Sequence, residues 1–204
     1  MMRHFTMEEL QTWDRFTRAH FINSMSGFKS ASLVATVNQQ GVPNLAIFSN
    51  IVHLGADPAL IGLVNRPREA APHTIANIEA TGVYTINLFT KEQIKAAHQT
   101  SAKYAAGVSE FEATGLTPEW HSSSKVPFVK ESPVKYALNL KEIIPIQWNR
   151  TFFIIGEVQH VIADETLLQP DGFLALEQQS IVTSLGIDAY YTTQAEQRLP
   201  YAKV

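Results

Sequence analysis

The chain has 204 residues, 45% of them apolar, and 16 Lys and Arg against 19 Asp and Glu give a net charge of −3. That suits one globular domain able to bury a core without disulfides or structural metals, and with no cysteine present thiolate chemistry is excluded. A near-neutral chain without a Lys/Arg stripe argues against nucleic acid as a partner, no apolar run approaches the roughly 20 residues of a membrane-spanning helix, and Glu8, Glu9, Asp14 and Arg15 stand where a secretory signal would be apolar. The cytoplasm is the expected compartment. From Ser30 to Ala56 there is no charged residue at all.

Thr6-Met7-Glu8-Glu9 reads as a capping box that starts a helix, with Leu10, Trp13, Phe16, Thr17 and His20 on one face and stop signals from Asn23 to Gly27. The period then changes to that of strands. Ala31–Asn38 and Leu45–Leu54, joined by the turn Gln39-Gln40-Gly41-Val42-Pro43, form a hairpin across the uncharged stretch. Ala59–Val64 is a strand, Pro72–Ala80 a helix closed by Thr81-Gly82, Val83–Phe89 a strand and Lys91–Gln99 a short helix. Ser101–Pro127 is expected to be irregular, with a turn of helix around Tyr104. Two long extended segments, Lys135–Ile146 and Thr151–Ala163, make a second hairpin around Trp148-Asn149-Arg150, and Gly172–Leu185 reads as a final helix before the tail Gly186–Val204. Six strands with helices set between hairpins point to a mainly β, antiparallel barrel rather than a doubly wound sheet.

No dinucleotide fingerprint, phosphate loop, nucleophile elbow or metal-ligand spacing is present. Polar groups suited to an anionic, largely aromatic ligand remain. Arg66-Pro67-Arg68 ends a strand, Pro72-His73-Thr74 opens a helix whose free amides favour a phosphate, and Ser101-Ala102-Lys103-Tyr104 adds a hydroxyl, a cation and a ring. Solvated arginines, an ordinary helix start and a plain loop would read the same way. Asn44, Ser49 and Asn50 are hydrogen-bonding groups in an otherwise apolar strand, and a neutral heterocycle with carbonyl and N–H edges would match them.

The order of certain segments carries more. Thr36–Asn50, Asp57-Pro58, His73–Ile78, Gly82–Asn87, His98–Tyr104, Ser109–Glu112, Gly115–Thr117, Val129–Pro133, Gly156–Val158, Asp171-Gly172 and Gly186–Tyr191 together resemble the flavin reductase-like family of FMN-binding split-barrel proteins. The resemblance spans Gly27 to Tyr201. It implies a six-stranded antiparallel Greek-key split β-barrel with inserted helices over 27–204, ending in a helix and tail, and residues 1–26 as a helical segment packed on it. It also implies a homodimer with FMN, rather than FAD, near the subunit interface. On this reading Asn44 and the strand through Phe48, Ser49 and Asn50 border the isoalloxazine. Thr74 meets the phosphate, and Arg66, His73, Ser101 and Lys103 are further phosphate or ribityl contacts. Some members of the family have a Lys near the position of Glu110 that helps hold the phosphate; the acidic residue here leaves that charge to Lys103 or the arginines. The implied activity is flavin reduction by NAD(P)H, with electrons passed to an acceptor or to free flavin and no dedicated protein acid or base. An electron-transfer flavoprotein that does not use nicotinamide directly is the alternative, and a flavin-free small-molecule barrel is a third reading.

Overall fold

Strand β2 (Ser32–Val37) is buried at every position, which explains the first part of the uncharged stretch. Leu33, Ala35 and Val37 enter one apolar cluster with Phe89, Phe111 and Val126, while Val34, on the opposite face, enters another with Leu63, Ile75, Ile78 and Tyr84. A strand covered on both sides tolerates no charge on either. In the computed structural model, which describes residues 1–105 and 107–203, β2 lies inside a larger antiparallel sheet. Ala106, in the stretch expected to be irregular, and Val204, at the end of the expected tail, lie outside the described residues.

The chain begins with α1 (Met7–Thr12) and α2 (Arg15–Ser24), followed by β1 (Lys29–Ser30) and β2. Next come β3 (Pro43–Phe48), β4 (Ile51–Ala56), β5 (Ala59–Asn65), α3 (Pro72–Thr81), β6 (Val83–Leu88), α4 (Ile94–Gln99) and α5 (Glu110–Thr114). The short β7 (Pro118–Glu119) and β8 (Phe128–Val129) precede the long hairpin of β9 (Val134–Ile146) and β10 (Thr151–Ala163), and β11 (Val182–Leu185) and β12 (Ala189–Thr192) close the chain. Seven strands form one sheet in the order β3-β2-β6-β9-β10-β5-β4, and β1, β11 and β12 form a second, smaller one.

The two edge strands of the large sheet, β3 and β4, are joined by Ser49 and Asn50 alone. Six gaps of about 4.8 Å would hold the edges of a flat sheet about 29 Å apart. Phe48 and Ile51 are three Cα steps apart, at most about 11 Å. The sheet must therefore curl until its edges meet, which produces a barrel with a seam. Val64, whose N–H donates to the Asn50 carbonyl at 3.2 Å, ties the junction to β5.

Several expectations need correction. The count of six strands becomes seven because Leu45–Leu54 is not continuous: it breaks at Ser49-Asn50, where the chain crosses from one edge to the other. The uncharged stretch is not buried throughout: Asn44 and Leu45 on β3 are buried, but Val52 and Leu54 on β4 are 44% and 43% exposed. The N-terminal helix is two helices, because Asp14 Oδ1 accepts from the amides of Phe16 (2.9 Å) and Thr17 (3.2 Å) and starts a second one. Its supposed apolar face fails with it: Phe16 is exposed, and Trp13 packs instead against Phe5 and Phe21. Thr6 caps as expected, accepting from the Glu9 N–H at 3.1 Å, while the Glu9 carboxylate pairs with Arg3. The helix expected over Gly172–Leu185 is only a short 3-10 turn at Leu176–Gln179, after which Val182–Thr192 forms the β11–β12 hairpin. The turn of helix placed near Tyr104 occurs instead at α5. Among the described residues no helix is long and apolar enough to cross a membrane.

Candidate functional site

A cavity of about 530 Å³ opens beside the seam. β3 and the junction supply its uncharged wall: Asn44, Ala46, Ile47, Phe48, Ser49 and Asn50. β3 is the sheet edge, so the backbone groups not used in pairing with β2 face outward. Asn44 is buried and its Nδ2 donates to Thr74 Oγ1 at 3.5 Å, joining this wall to α3.

The N-terminus of α3 forms the opposite side. Pro72 occupies the first helical position and lacks an N–H, and Ala71 before it has no oxygen with which to cap. The amides of His73 and Thr74 are those a cap would take, and no side chain takes them. Helix ends built this way hold anions. The approach to α3 is fixed by Asn65, fully buried, whose Nδ2 donates to the carbonyls of Arg66 (2.7 Å) and Ala71 (3.3 Å). Arg68 pins the same loop from outside: Nη1 donates to Glu79 Oε2 at 2.8 Å, and the guanidinium lies 4.8 Å from the Phe152 ring centroid. Arg68 thus has a structural task, and of the two arginines only Arg66 lines the cavity.

The loop after α4 brings Ser101, Lys103 and Tyr104 to the rim, so every site residue expected from the sequence lines this one cavity. Their exposure is graded. Asn44 and Thr74 are buried, whereas Arg66, His73 and Lys103 are exposed. Among the described residues neither Arg66 nor Lys103 forms a salt bridge.

The structure adds residues the sequence reading passed over. His98 Nδ1 and the Tyr190 hydroxyl lie 2.8 Å apart on the cavity wall, with their rings edge-to-face. Burial raises the Tyr190 hydroxyl above the usual phenol range, and Asp188 adds to it. Ser184 on β11 also lines the cavity; its Oγ is buried without a partner among the described residues. Ser184 and Tyr190 were hidden because Val182–Thr192 forms a hairpin where the end of a helix and the start of a tail were expected. Asn23, at the end of α2, reaches the same wall. Glu110 is buried and accepts from the Leu45 N–H at 2.8 Å. Its carboxyl is raised above the usual range by desolvation, with the Leu45 amide and His73 acting in the opposite sense.

A sequence profile described as the flavin reductase like domain matches residues 25–181. The chain belongs to this flavin reductase-like family. A crystal structure from Shewanella frigidimarina NCIMB 400, named as a candidate flavin reductase with split barrel domain, is 48% identical to it. That match covers 98% of this chain and 100% of the other, with a TM-score of 0.95. Nitrilotriacetate monooxygenase component B from Bacillus cereus is 20% identical over 98% of this chain and 99% of its own, at a TM-score of 0.85. An FMN-binding protein from Thermus thermophilus, solved with bound 1-cyclohex-2-enone, is 18% identical over 87% of this chain and 93% of its own, at 0.71. The latter two likenesses concern the fold alone. The curled sheet with its seam is accordingly the split barrel of the flavin reductase-like proteins.

Proposed function

We propose that this protein is an FMN-binding oxidoreductase of the flavin reductase type, reduced by NAD(P)H and working as a cytoplasmic homodimer. The observation that carries the reading is the polarity of the cavity. One wall is an uncharged strand edge with amide and hydroxyl side chains, and the other is an uncapped helix N-terminus with unpaired cations at its rim. A flat neutral heterocycle with an anionic tail matches both walls in one molecule, and the volume lies within the usual range for small-molecule sites.

The residues present fit such a group. The amides of His73 and Thr74, taken by no side chain among the described residues, are donors that an anionic tail would satisfy. Bound here, a flavin supplies hydride acceptance and electron transfer, chemistry the side chains do not need to provide. Asn44, Phe48, Ser49 and Asn50 would border the ring, and Thr74 with the α3 amides would hold the phosphate. Arg66, His73, Ser101 and Lys103 would complete the anionic end. The His98–Tyr190 pair would bound the space left for a second reactant and exclude water from it.

The dimer is supported by β4, an edge strand without Asp, Glu, Lys or Arg that exposes Val52 and Leu54. Residues 1–26 are read as a helical segment packed beside the domain 27–204.

Titrating the protein with FMN tests the reading. Quenching of flavin fluorescence at near-stoichiometric protein is expected, followed by bleaching on anaerobic mixing with NADH or NADPH. No quenching refutes the flavin site. Quenching without bleaching on a catalytic timescale leaves a flavoprotein that carries electrons from another donor.

A further inference from the structure

Glu110 opens α5 and is 6% exposed. Its Oε2 accepts the Leu45 N–H at 2.8 Å, and the preceding residue, Asn44, donates to Thr74 Oγ1. The carboxylate and the N-terminal turn of α3 therefore reach β3 at adjacent residues, about 3.4 Å apart along the strand. Both line the cavity. A buried carboxyl, negative when ionised, thus lies at the end of the site otherwise built for an anion. The hydrogen bond to Leu45 does not require that charge, because the carbonyl of a glutamine accepts equally well.

Of the charged and titratable groups, His73 on α3 acts on the carboxyl directly, and His98 on α4, Lys103 and Tyr104 in the following loop, and Arg66, Glu69 and Tyr190 line the same cavity. β3 contributes none, and on α5 itself Glu112 is exposed. The cations among these sit at the wet rim, where their charge is screened, whereas Glu110 is buried.

Resting on the FMN reading, we infer that Glu110 makes the flavin an exchangeable ligand, its charge opposing the FMN phosphate so that tight binding requires proton uptake at Glu110. Burial already disfavours the ionised carboxyl, and a phosphate beside it disfavours it further. The ionised carboxyl offsets the positive field of α3 until the proton is taken up, so the flavin is held firmly enough to be used and loosely enough to leave.

The test compares wild-type protein with Glu110→Gln, titrated with FMN and with riboflavin, which lacks the phosphate, at pH 8. The expected result is FMN bound on the order of tenfold more tightly and released correspondingly more slowly by the variant, with riboflavin affinity unchanged. Calorimetry in buffers of different ionisation enthalpy gives the second readout on the wild type alone. FMN binding should take up a proton that riboflavin binding does not, and the uptake should persist in His73→Gln and vanish in Glu110→Gln. Equal FMN affinity in wild type and Glu110→Gln overturns the inference while leaving the FMN site intact, as does proton uptake abolished by His73→Gln. Failure of the wild type to bind either flavin overturns the FMN reading and the inference together.

Discussion

Replacing Asn65 with alanine removes the side chain that links the barrel wall to the candidate phosphate site. Asn65 is fully buried at the end of β5, and its Nδ2 holds the carbonyls of Arg66 at 2.7 Å and Ala71 at 3.3 Å, bracketing the loop that leads into α3. Alanine leaves both carbonyls without this donor, at about 1–3 kcal/mol for each that stays buried. The Oδ1 atom has no partner, so its removal returns part of that cost. The net loss is on the order of 3 kcal/mol, equivalent to a fall in Tm of about 6–12 °C for a chain of this length. Scanning calorimetry without ligand measures it. Because the loop sets the position of the His73 and Thr74 amides, FMN affinity should fall more than riboflavin affinity. A Tm within about 2 °C of wild type, with the flavin affinities unaltered, would refute the argument and assign the loop's position to the Arg68–Glu79 pair instead.

Arg66→Ala combined with Thr74→Ala should weaken FMN binding by about 100-fold, the loss of one charged and one neutral hydrogen bond, and barely affect riboflavin; equal affinity for FMN would place the phosphate elsewhere. Gly156→Ala would set a Cβ 2.2 Å from the Tyr84 hydroxyl and 3.1 Å from Leu138 Cβ, inside the barrel. A loss of about 2–3 kcal/mol in urea unfolding is expected, and Tyr84→Phe should recover part of it, since that buried hydroxyl has no partner to lose. Glu110 gives a pH dependence. Its folded-state pKa is raised, chiefly by burial, so the folded protein holds the proton more tightly than the unfolded chain. Stability from this group is full below the unfolded pKa and is lost as pH rises through the folded one. The Tm of Glu110→Gln should therefore gain on the wild type as pH rises from about 4 and then level off; a difference that is independent of pH, or that shifts in the wild type's favour as pH rises, would contradict the assignment.

Much of this was legible in the chain itself, for identifiable reasons. Pro72-His73-Thr74 declares an open helix start because proline removes one amide and nothing beside it caps the others, and that reasoning is local. The strands Ser32–Val37 and Val83–Leu88 are legible because both faces of the first, and the greater part of the second, are buried. The break at Ser49-Asn50 was not, since two polar residues in an otherwise apolar run look the same whether they lie within one strand or mark the passage between two edges. Val182–Leu185 was hidden for a related reason: its partners are Lys29-Ser30 and Ala189–Thr192, and a four-residue strand takes most of its identity from them. Tyr190 and Ser184 were lost from the site along with it. Glu110 was noticed as a charge of unexpected sign, but its burial against the Leu45 amide depends on a contact 65 residues apart in the chain, which no local pattern encodes.

The seam at Ser49-Asn50 has a further consequence for solubility. Sheet edges are usually protected from pairing with other molecules by lysines, inward-pointing charges or prolines. Between Ser30 and Ala56 the chain offers only Pro43, at the start of β3. Both edge strands of the barrel therefore depend on being covered: β3 by α5, whose Glu110 takes the Leu45 N–H, and by whatever fills the cavity, β4 by whatever meets Val52 and Leu54. The ligand-free, dilute protein should accordingly be the form most prone to edge-to-edge association, and occupancy of the cavity acts as a guard against aggregation.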